Sequence, residues 1–215
     1  MKKDKTALQL LEETGAVVQG HFVGTSGKHL SVYVAKDRAT RFTSVGSKLC
    51  KMIAEIFKCD DIDAVVAPAM GGIALSQWTA CHLTLLRPDR PEVLALYSEQ
   101  KDKEFVLGRG FDKDVCGKRV LVVEDVLTTG SSAVSTVRAV IKACGIVVGV
   151  GALANGGGVT AEDVGVCRLE ALVNIKRQQF SEEECARIGL CAKGVPINTE
   201  FGHGAEFLSK KVMPG

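Results

Sequence analysis

Arg119-Val120-Leu121-Val122-Val123-Glu124-Asp125-Val126-Leu127-Thr128-Thr129-Gly130-Ser131-Ser132 is the stretch that decides the fold. Val120 to Val123 is an unbroken apolar run, the pattern of a strand buried on both faces of a parallel sheet. Glu124 and Asp125 follow at once, and then come small hydroxyl residues and a glycine. Val134, Val137, Val140 and Ile141 repeat at helical spacing. Strand, tight loop and helix start thus arrive in that order. The N-terminus of such a helix offers backbone N–H groups to an anion, most naturally a phosphate.

The two carboxylates narrow the choice of ligand. A site for phosphate alone does not place two negative side chains just before its cradle. They suit a ligand that also donates hydroxyls, or one that arrives with Mg2+, and a sugar phosphate has both needs. The stretch lacks the lysine of a Walker A loop and the Gly-x-Gly-x-x-Gly spacing of a dinucleotide fold. An ordinary strand-to-helix turn with an acidic cap satisfies the same local pattern.

The run from Val120 to Ser132 resembles the phosphoribosyl pyrophosphate (PRPP) motif of type I phosphoribosyltransferases. The resemblance implies that Glu124 and Asp125 hold the ribose hydroxyls and Mg2+. It implies a PRPP site continuing through Val126, Leu127, Thr128, Thr129, Gly130, Ser131 and Ser132, with the loop on the 5′-phosphate.

Working outward, Asp63 to Ala67 reads as another buried strand, running into Pro68-Ala69-Met70-Gly71-Gly72 and a helix from Ile73. Ala69, Met70, Gly71 and Gly72 resemble the family's pyrophosphate loop, whose backbone amides meet the leaving group. Residues 41–58 read as an amphipathic helix with an apolar stripe of Val45, Leu49, Met52, Ile53, Ile56 and Phe57. Glu92 to Tyr97 is a third strand, followed by the polar Ser98-Glu99-Gln100-Lys101-Asp102-Lys103-Glu104. In the family this place holds a mobile catalytic loop, which makes Lys101 and Lys103 the candidate cations. Gly108-Arg109-Gly110-Phe111 resembles the Arg-Gly-Phe turn of a bacterial branch of orotate enzymes, although Gln100 stands where that branch usually has a basic residue.

Ile146 to Ala152 reads as a fourth strand, leading to Asn155-Gly156-Gly157-Gly158, and Arg168 to Val173 as a last one. Orotate enzymes carry Asp-Arg where this chain has Asn155 and Gly156, so the bidentate partner of the orotate carboxylate is missing. Lys28, Arg168, Lys176 and Arg177 are the candidate replacements. At the N-terminal end, residues 5–14 read as a short helix, and glycine turns then lead into the alternating Leu30-Ser31-Val32-Tyr33-Val34. Phe22, Ser26, Gly27 and Lys28 resemble the base-covering hood of orotate enzymes, with Thr25 in place of a usual lysine. With Thr128, Asn155 and Gly156, they make the expected base site. Ser181 reads as the cap of a Glu-rich helix. Cys191 to Pro196 resembles the Cys-x-x-Gly-x-Pro tail of the same branch. The resemblance spans about residues 8 to 205.

The 215 residues are 46% hydrophobic and carry a formal charge of +2. They suit one α/β domain and give no basic face for nucleic acid. The charged start lacks an apolar signal core, and no run approaches the roughly 20 apolar residues of a membrane span, so a cytoplasmic protein is expected. Eight cysteines are scattered through the chain. Most read as small buried hydrophobes. Cys185 and Cys191 lie wider apart than a zinc-knuckle pair, with His203 the nearby candidate ligand and no Cys or His pair close in sequence, so zinc is not expected.

The expected architecture is a doubly wound, mostly parallel five-stranded sheet in a single domain, 1–215. Residues 1–40 and parts of the C-terminal tail form its hood. The expected activity is Mg2+-dependent transfer of a phosphoribosyl group from PRPP to a nucleobase, favouring orotate. Transfer to another base, such as a purine, is the second reading, and a non-catalytic PRPP-sensing regulator is the third. The family also implies a homodimer.

Overall fold

The computed structural model describes residues 5–102 and 104–212. In chain order the elements are α1 (Ala7–Glu13), β1 (Val17–Val23), β2 (His29–Val34), α2 (Asp37–Thr40), α3 (Thr43–Phe57), β3 (Ala64–Pro68), α4 (Ile73–Leu86), β4 (Leu94–Lys101) and β5 (Glu104–Val106). They continue with α5 (Phe111–Asp114), β6 (Arg119–Leu127), α6 (Ser131–Lys142), β7 (Ile146–Asn155), α7 (Ala161–Val164), β8 (Leu169–Asn174), β9 (Gln179–Phe180), α8 (Glu182–Ile188) and α9 (Gly204–Val212). Two compact units divide the chain. One is built on Thr40–Asn174, and the other joins Gln9–Ala39 to the segment from Ile175 onward.

The first unit holds a sheet in the order β5-β4-β3-β6-β7-β8. Pairing is parallel from β4 through β8, and β5 returns antiparallel along β4. The sequence reading expects the five parallel strands but not β5. It starts at the end of the polar stretch whose place holds a mobile loop in the family, and Glu99↔Val106, Gln100↔Phe105 and Lys101↔Glu104 pair across a hairpin. β3 is buried along its whole length and β6 from Val120 to Asp125, which is why their sequences run apolar without alternation.

Val66, Leu96, Val120, Val122, Val137 and Val140 belong to one core cluster, placing α6 against one face of the sheet. On the other face Leu49, Ile53 and Phe57 of α3 are fully buried. A β-carbon on Gly151 of β7 would lie 2.8 Å from the Ile53 side chain, so α3 sits close on that strand. A buried hydrogen bond of 2.8 Å between Ser98 Oγ and Thr136 Oγ1 ties α6 to β4. It satisfies two hydroxyls that would otherwise be costly to bury.

The second unit contains the three-stranded antiparallel sheet β1-β2-β9. Inward positions of β2, Leu30, Val32 and Val34, alternate with half-buried Ser31 and Tyr33. Ser181 caps α8 as expected. Its Oγ accepts from the Glu184 N–H at 3.2 Å, while its own N–H donates to Glu184 Oε2 at 2.8 Å.

Removing side-chain volume from the sheet should be expensive. Leu121→Ala, at a fully buried position, is expected to cost about 2–4 kcal/mol, read as a lowered denaturant midpoint. Breaking the exposed Lys51–Glu55 pair, 3.8 Å apart on α3, should cost less than about 0.5 kcal/mol.

Candidate active site

In a parallel sheet every strand ends at the same edge, and the loops that follow share it. The turns after β3, β6 and β7 and the end of β4 therefore gather together, as the register requires. Pro68 pairs with Ser98, and Leu127 with Asn155. Glu124, Val126 and Leu127 of β6, with Thr128, Thr129, Gly130, Ser131 and Ser132, line an open cleft of about 180 Å3.

The cleft floor is one helix end. α6 starts after Gly130, which has a left-handed φ of +77° and gives no side-chain cap. An L side chain is disfavoured there, and a β-carbon would also lie 2.9 Å from Val159 Cγ1. Thr129 Oγ1 accepts from the Ser131 N–H at a long 3.4 Å. The first amides of a 12-residue helix are thus presented to the cleft, an arrangement that favours an anion.

The acid pair is held by its own backbone. Glu124 and Asp125 are 6% and 8% exposed. Asp125 N–H donates to Glu124 Oε1 at 3.2 Å, and Val126 N–H donates to Asp125 Oδ1 at 2.6 Å. The donor set is entirely hard oxygen, which fits Mg2+ and a sugar's hydroxyls and does not suit a soft metal.

The loop after β7 is clamped onto this turn. Gly156 and Gly157 N–H groups both donate to the Leu127 carbonyl at 3.0 Å. A β-carbon on Gly157 would fall 1.6 Å from the Thr128 carbonyl oxygen, so no other residue fits without moving that loop. Asn155, expected at the base, spends its amide on closing its own loop. Nδ2 donates to the Val159 carbonyl at 2.7 Å, and Oδ1 accepts the Val159 N–H at 3.0 Å. Gly156 is buried.

The remaining expected residues are spread more widely. Ala69 to Gly72 turn between β3 and α4, and the Met70 side chain is 85% exposed. α4 starts after Gly72 without a side-chain cap, presenting a second helix N-terminus at the same edge. Lys101 ends β4 and is exposed, and Lys103 lies outside the described residues. Arg109 pairs with Glu99 at 3.0 Å, and this exposed ion pair raises the pKa of its guanidinium. In the second unit Phe22 is a fully buried packing residue with its ring 5.5 Å from Tyr33, whereas Ser26, Gly27 and Lys28 form an exposed turn.

Among the replacement cations, Arg168 is committed elsewhere. It precedes β8, at the sheet edge opposite the cleft. There it meets Asp60 at 2.9 Å and Glu170 at 3.2 Å, and lies over the Phe57 ring. Arg177 differs. Its buried Nε has no hydrogen-bond partner among the described residues, and burial lowers its pKa.

No family model matches the chain. It is 37% identical over 190 residues to the orotate phosphoribosyltransferase of Pelotomaculum thermopropionicum, covering 87% of this chain and 91% of that one. It is 33% identical over 197 residues to the orotate phosphoribosyltransferase of Caldicellulosiruptor bescii, covering 92% and 96%. Among solved structures it is similar to Mycobacterium tuberculosis orotate phosphoribosyltransferase in complex with Fe(III) dicitrate. There the TM-score is 0.62 at 26% identity, over 79% of this chain and 96% of that one. The PRPP complex of the same enzyme has a TM-score of 0.58 at 22% identity, over 81% and 92%.

The clamp sets a test of the geometry. Gly157→Ala is expected to push the Thr128 loop outward and raise the KM for the phosphorylated substrate about 10-fold or more, with a smaller change in kcat. Steady-state kinetics over a range of that substrate check this.

Proposed function

The chain belongs to the orotate phosphoribosyltransferase family, and we propose from that premise how its residues divide the work of joining orotate to PRPP. The reaction forms the bond between the base nitrogen and the anomeric carbon, expels pyrophosphate and yields orotidine 5′-phosphate. The observation that carries the assignment of the site is the helix terminus at Gly130–Ser132 lying directly after two nearly buried carboxylates.

The amides opening α6, with the hydroxyls of Thr128, Thr129, Ser131 and Ser132, receive the 5′-phosphate. Glu124 and Asp125 accept from the ribose hydroxyls, which fixes the sugar as positive charge builds at its anomeric carbon. The backbone of Ala69 to Gly72, before the uncapped α4, faces the pyrophosphate. Lys101 brings a cation to the same edge, and Lys103 is assigned beside it from the sequence. Mg2+, held by Glu124 and Asp125 with the substrate, would neutralise charge on the leaving pyrophosphate. No side chain is needed as a covalent nucleophile. The work is positioning and electrostatic stabilisation.

The orotate carboxylate needs a cation, and glycine at position 156 supplies none. Arg177 is our candidate, because a half-buried guanidinium without a partner at Nε gains most from meeting a carboxylate. Ser26, Gly27 and Lys28 are retained as base-side residues on the strength of their sequence pattern, and Thr128 on its place in the cleft. Phe22 supports that turn by packing. A homodimer is proposed from the resemblance. A cytoplasmic location is proposed because phosphorylated substrates do not cross a bilayer unaided. Among the described residues no helix is long and apolar enough to cross a membrane.

Two measurements test the assignment. The double change Glu124→Gln with Asp125→Asn keeps size and removes charge. It should lower kcat/KM by roughly 10²–10⁴, about 3–5 kcal/mol of transition-state binding, with little change in Tm. A normal rate would remove this stretch from the PRPP site. Arg177→Ala should cost about 2–4 kcal/mol for orotate, roughly 30- to 1000-fold in kcat/KM, while leaving uracil unaffected. Equal losses for both bases would argue against a carboxylate contact.

A further inference from the structure

Four metal-ligating side chains meet inside the second unit. Nδ1 or Nε2 of His21 and His29 and Sγ of Cys185 and Cys191 all lie within 4.8 Å of one another. His21, His29 and Cys185 are buried, Cys191 is partly so, and neither cysteine is in a disulfide among the described residues. His203, the ligand suggested by sequence, instead pairs with Glu206 at 3.2 Å. The histidines come from the far end of the chain, which is why reading locally around the cysteines finds no partners.

Local structure aims each group at the same point. A bulge between Gln19 and Phe22 shifts the β1–β2 register by one residue, so that Val23 faces His29 and Phe22 faces Leu30. His21 thereby shares a face with His29. In unbroken register the two rings would lie on opposite faces. Across the site Cys185 sits in α8, and the chain turns through Gly189 to bring Cys191 back. A β-carbon on Gly189 would lie 2.7 Å from Cys185 Cα and 3.0 Å from its sulfur, so this turn keeps the space beside the sulfur clear. Cys191 N–H donates to Cys185 Sγ at 3.3 Å, which fixes the position of the sulfur.

The tautomer is set by a second contact. His21 Nδ1 lies 2.8 Å from the Val195 carbonyl, which only accepts, so Nδ1 carries the hydrogen. Nε2 of the neutral ring then points its lone pair at the cluster, the orientation metal-binding imidazoles take from such partners. That Nε2 is 3.6 Å from Cys185 Sγ and 3.8 Å from Cys191 Sγ, and His29 Nδ1 is 3.6 Å from Cys191 Sγ. Tetrahedral zinc with ordinary bond lengths requires nitrogen–sulfur edges of about 3.5 Å. The two ring nitrogens are 2.6 Å apart and would have to separate by roughly 0.7 Å for a metal to enter.

We propose that His21, His29, Cys185 and Cys191 form a structural Zn2+ site that staples the β1–β2 hairpin to the C-terminal segment. The donor set, two imidazoles and two sulfurs, is a closed tetrahedral zinc set with no place left for substrate. Two thiolates and Zn2+ sum to zero charge, which suits a buried position. The need is visible in the packing. Among the described residues from 175 onward, Cys185 is the one apolar side chain that is fully buried, whereas the hairpin segment buries Phe22, Val23, Leu30, Val32 and Val34. The segment has little core of its own, and the metal would join groups 156 to 170 residues apart. Such a link stabilises the fold strongly because the unfolded chain cannot hold the ligands together. This inference is independent of the catalytic assignment.

The test uses the full chain without an affinity tag, purified under reducing conditions. Elemental analysis should find about one zinc per chain. Exchange of zinc for Co2+ should give the visible bands of tetrahedral cobalt with thiolate-to-metal charge transfer. Cys191→Ser and His29→Ala should each lose the metal, while Cys59→Ser, at an exposed cysteine, should keep it. Stripping zinc from the unaltered protein with a chelator should lower Tm by roughly 5 °C or more, reversed by adding Zn2+. Zinc below about 0.1 per chain after growth with added zinc, with no cobalt spectrum from the reduced protein, would overturn the proposal. A Cys185–Cys191 disulfide in the native protein, detected by mass spectrometry, would overturn it too. Both readouts are made on the unaltered chain, so they stand even if the variants fail to fold.

Discussion

The carbonyl of Leu127 accepts two amides, those of Gly156 and Gly157, and the shape of the cleft depends on that shared acceptor. It locks the turn after β6 to the turn after β7. Val159, held by both ends of the Asn155 amide, then stands against Gly130 at the start of α6. Two consecutive strand-to-helix connections thus interlock through main chain and glycine. Donors fixed in this way are aimed before a ligand arrives, and electrostatic stabilisation then needs no reorganisation of the protein. The same clamp limits chemistry. Residues 155–157 spend these polar groups on Val159 and on the neighbouring turn, so recognition of a substrate carboxylate has to come from a different element.

The acid pair poses the opposite problem. Two adjacent carboxylates, each less than a tenth exposed, repel one another and lose hydration. Backbone N–H groups of Asp125 and Val126 offset part of that cost. What remains favours any ligand that supplies hydroxyl donors or a cation. The charge is thus better matched to the loaded site than to the bare fold.

Much of the first unit was legible in the sequence, because strands buried on both faces leave continuous apolar runs and the PRPP-like motif is contiguous. β3, β6, β7 and α6 stand close to their expected positions. β4 runs on to Lys101 through residues that read as loop, since the burial of Ser98 rests on a hydroxyl partner, Thr136, supplied by a distant helix. Arg168 looked like a candidate for the base because sequence does not say at which sheet edge a residue lies. Asp60 and Glu170 give its real environment. The histidine–cysteine cluster was illegible for a related reason. Its halves lie more than 150 residues apart, and a single-residue bulge decides which way His21 faces.

The two units illustrate two ways of holding a chain together. The first has enough length to bury strands between helices, and hydrophobic area does most of the work. The second is small, and is made from two separate pieces of chain. Small folds of this kind seldom gather sufficient core and commonly rely on a covalent or metal link instead. The hairpin piece supplies most of the buried apolar side chains, and the tail adds two aromatic contacts, Phe201 on Tyr33 and Phe207 on His29, and several polar ties. Asn198 N–H donates to the His21 carbonyl, His203 N–H donates to the Val23 carbonyl, and Arg38 pairs with exposed Glu200. Exposed ion pairs and single hydrogen bonds contribute about 1 kcal/mol each at most. Ordering a tail of this length costs far more than a handful of such contacts returns. Three buried ligands and a partly buried one converge from both pieces, and a bound metal would supply the binding energy that closes this gap.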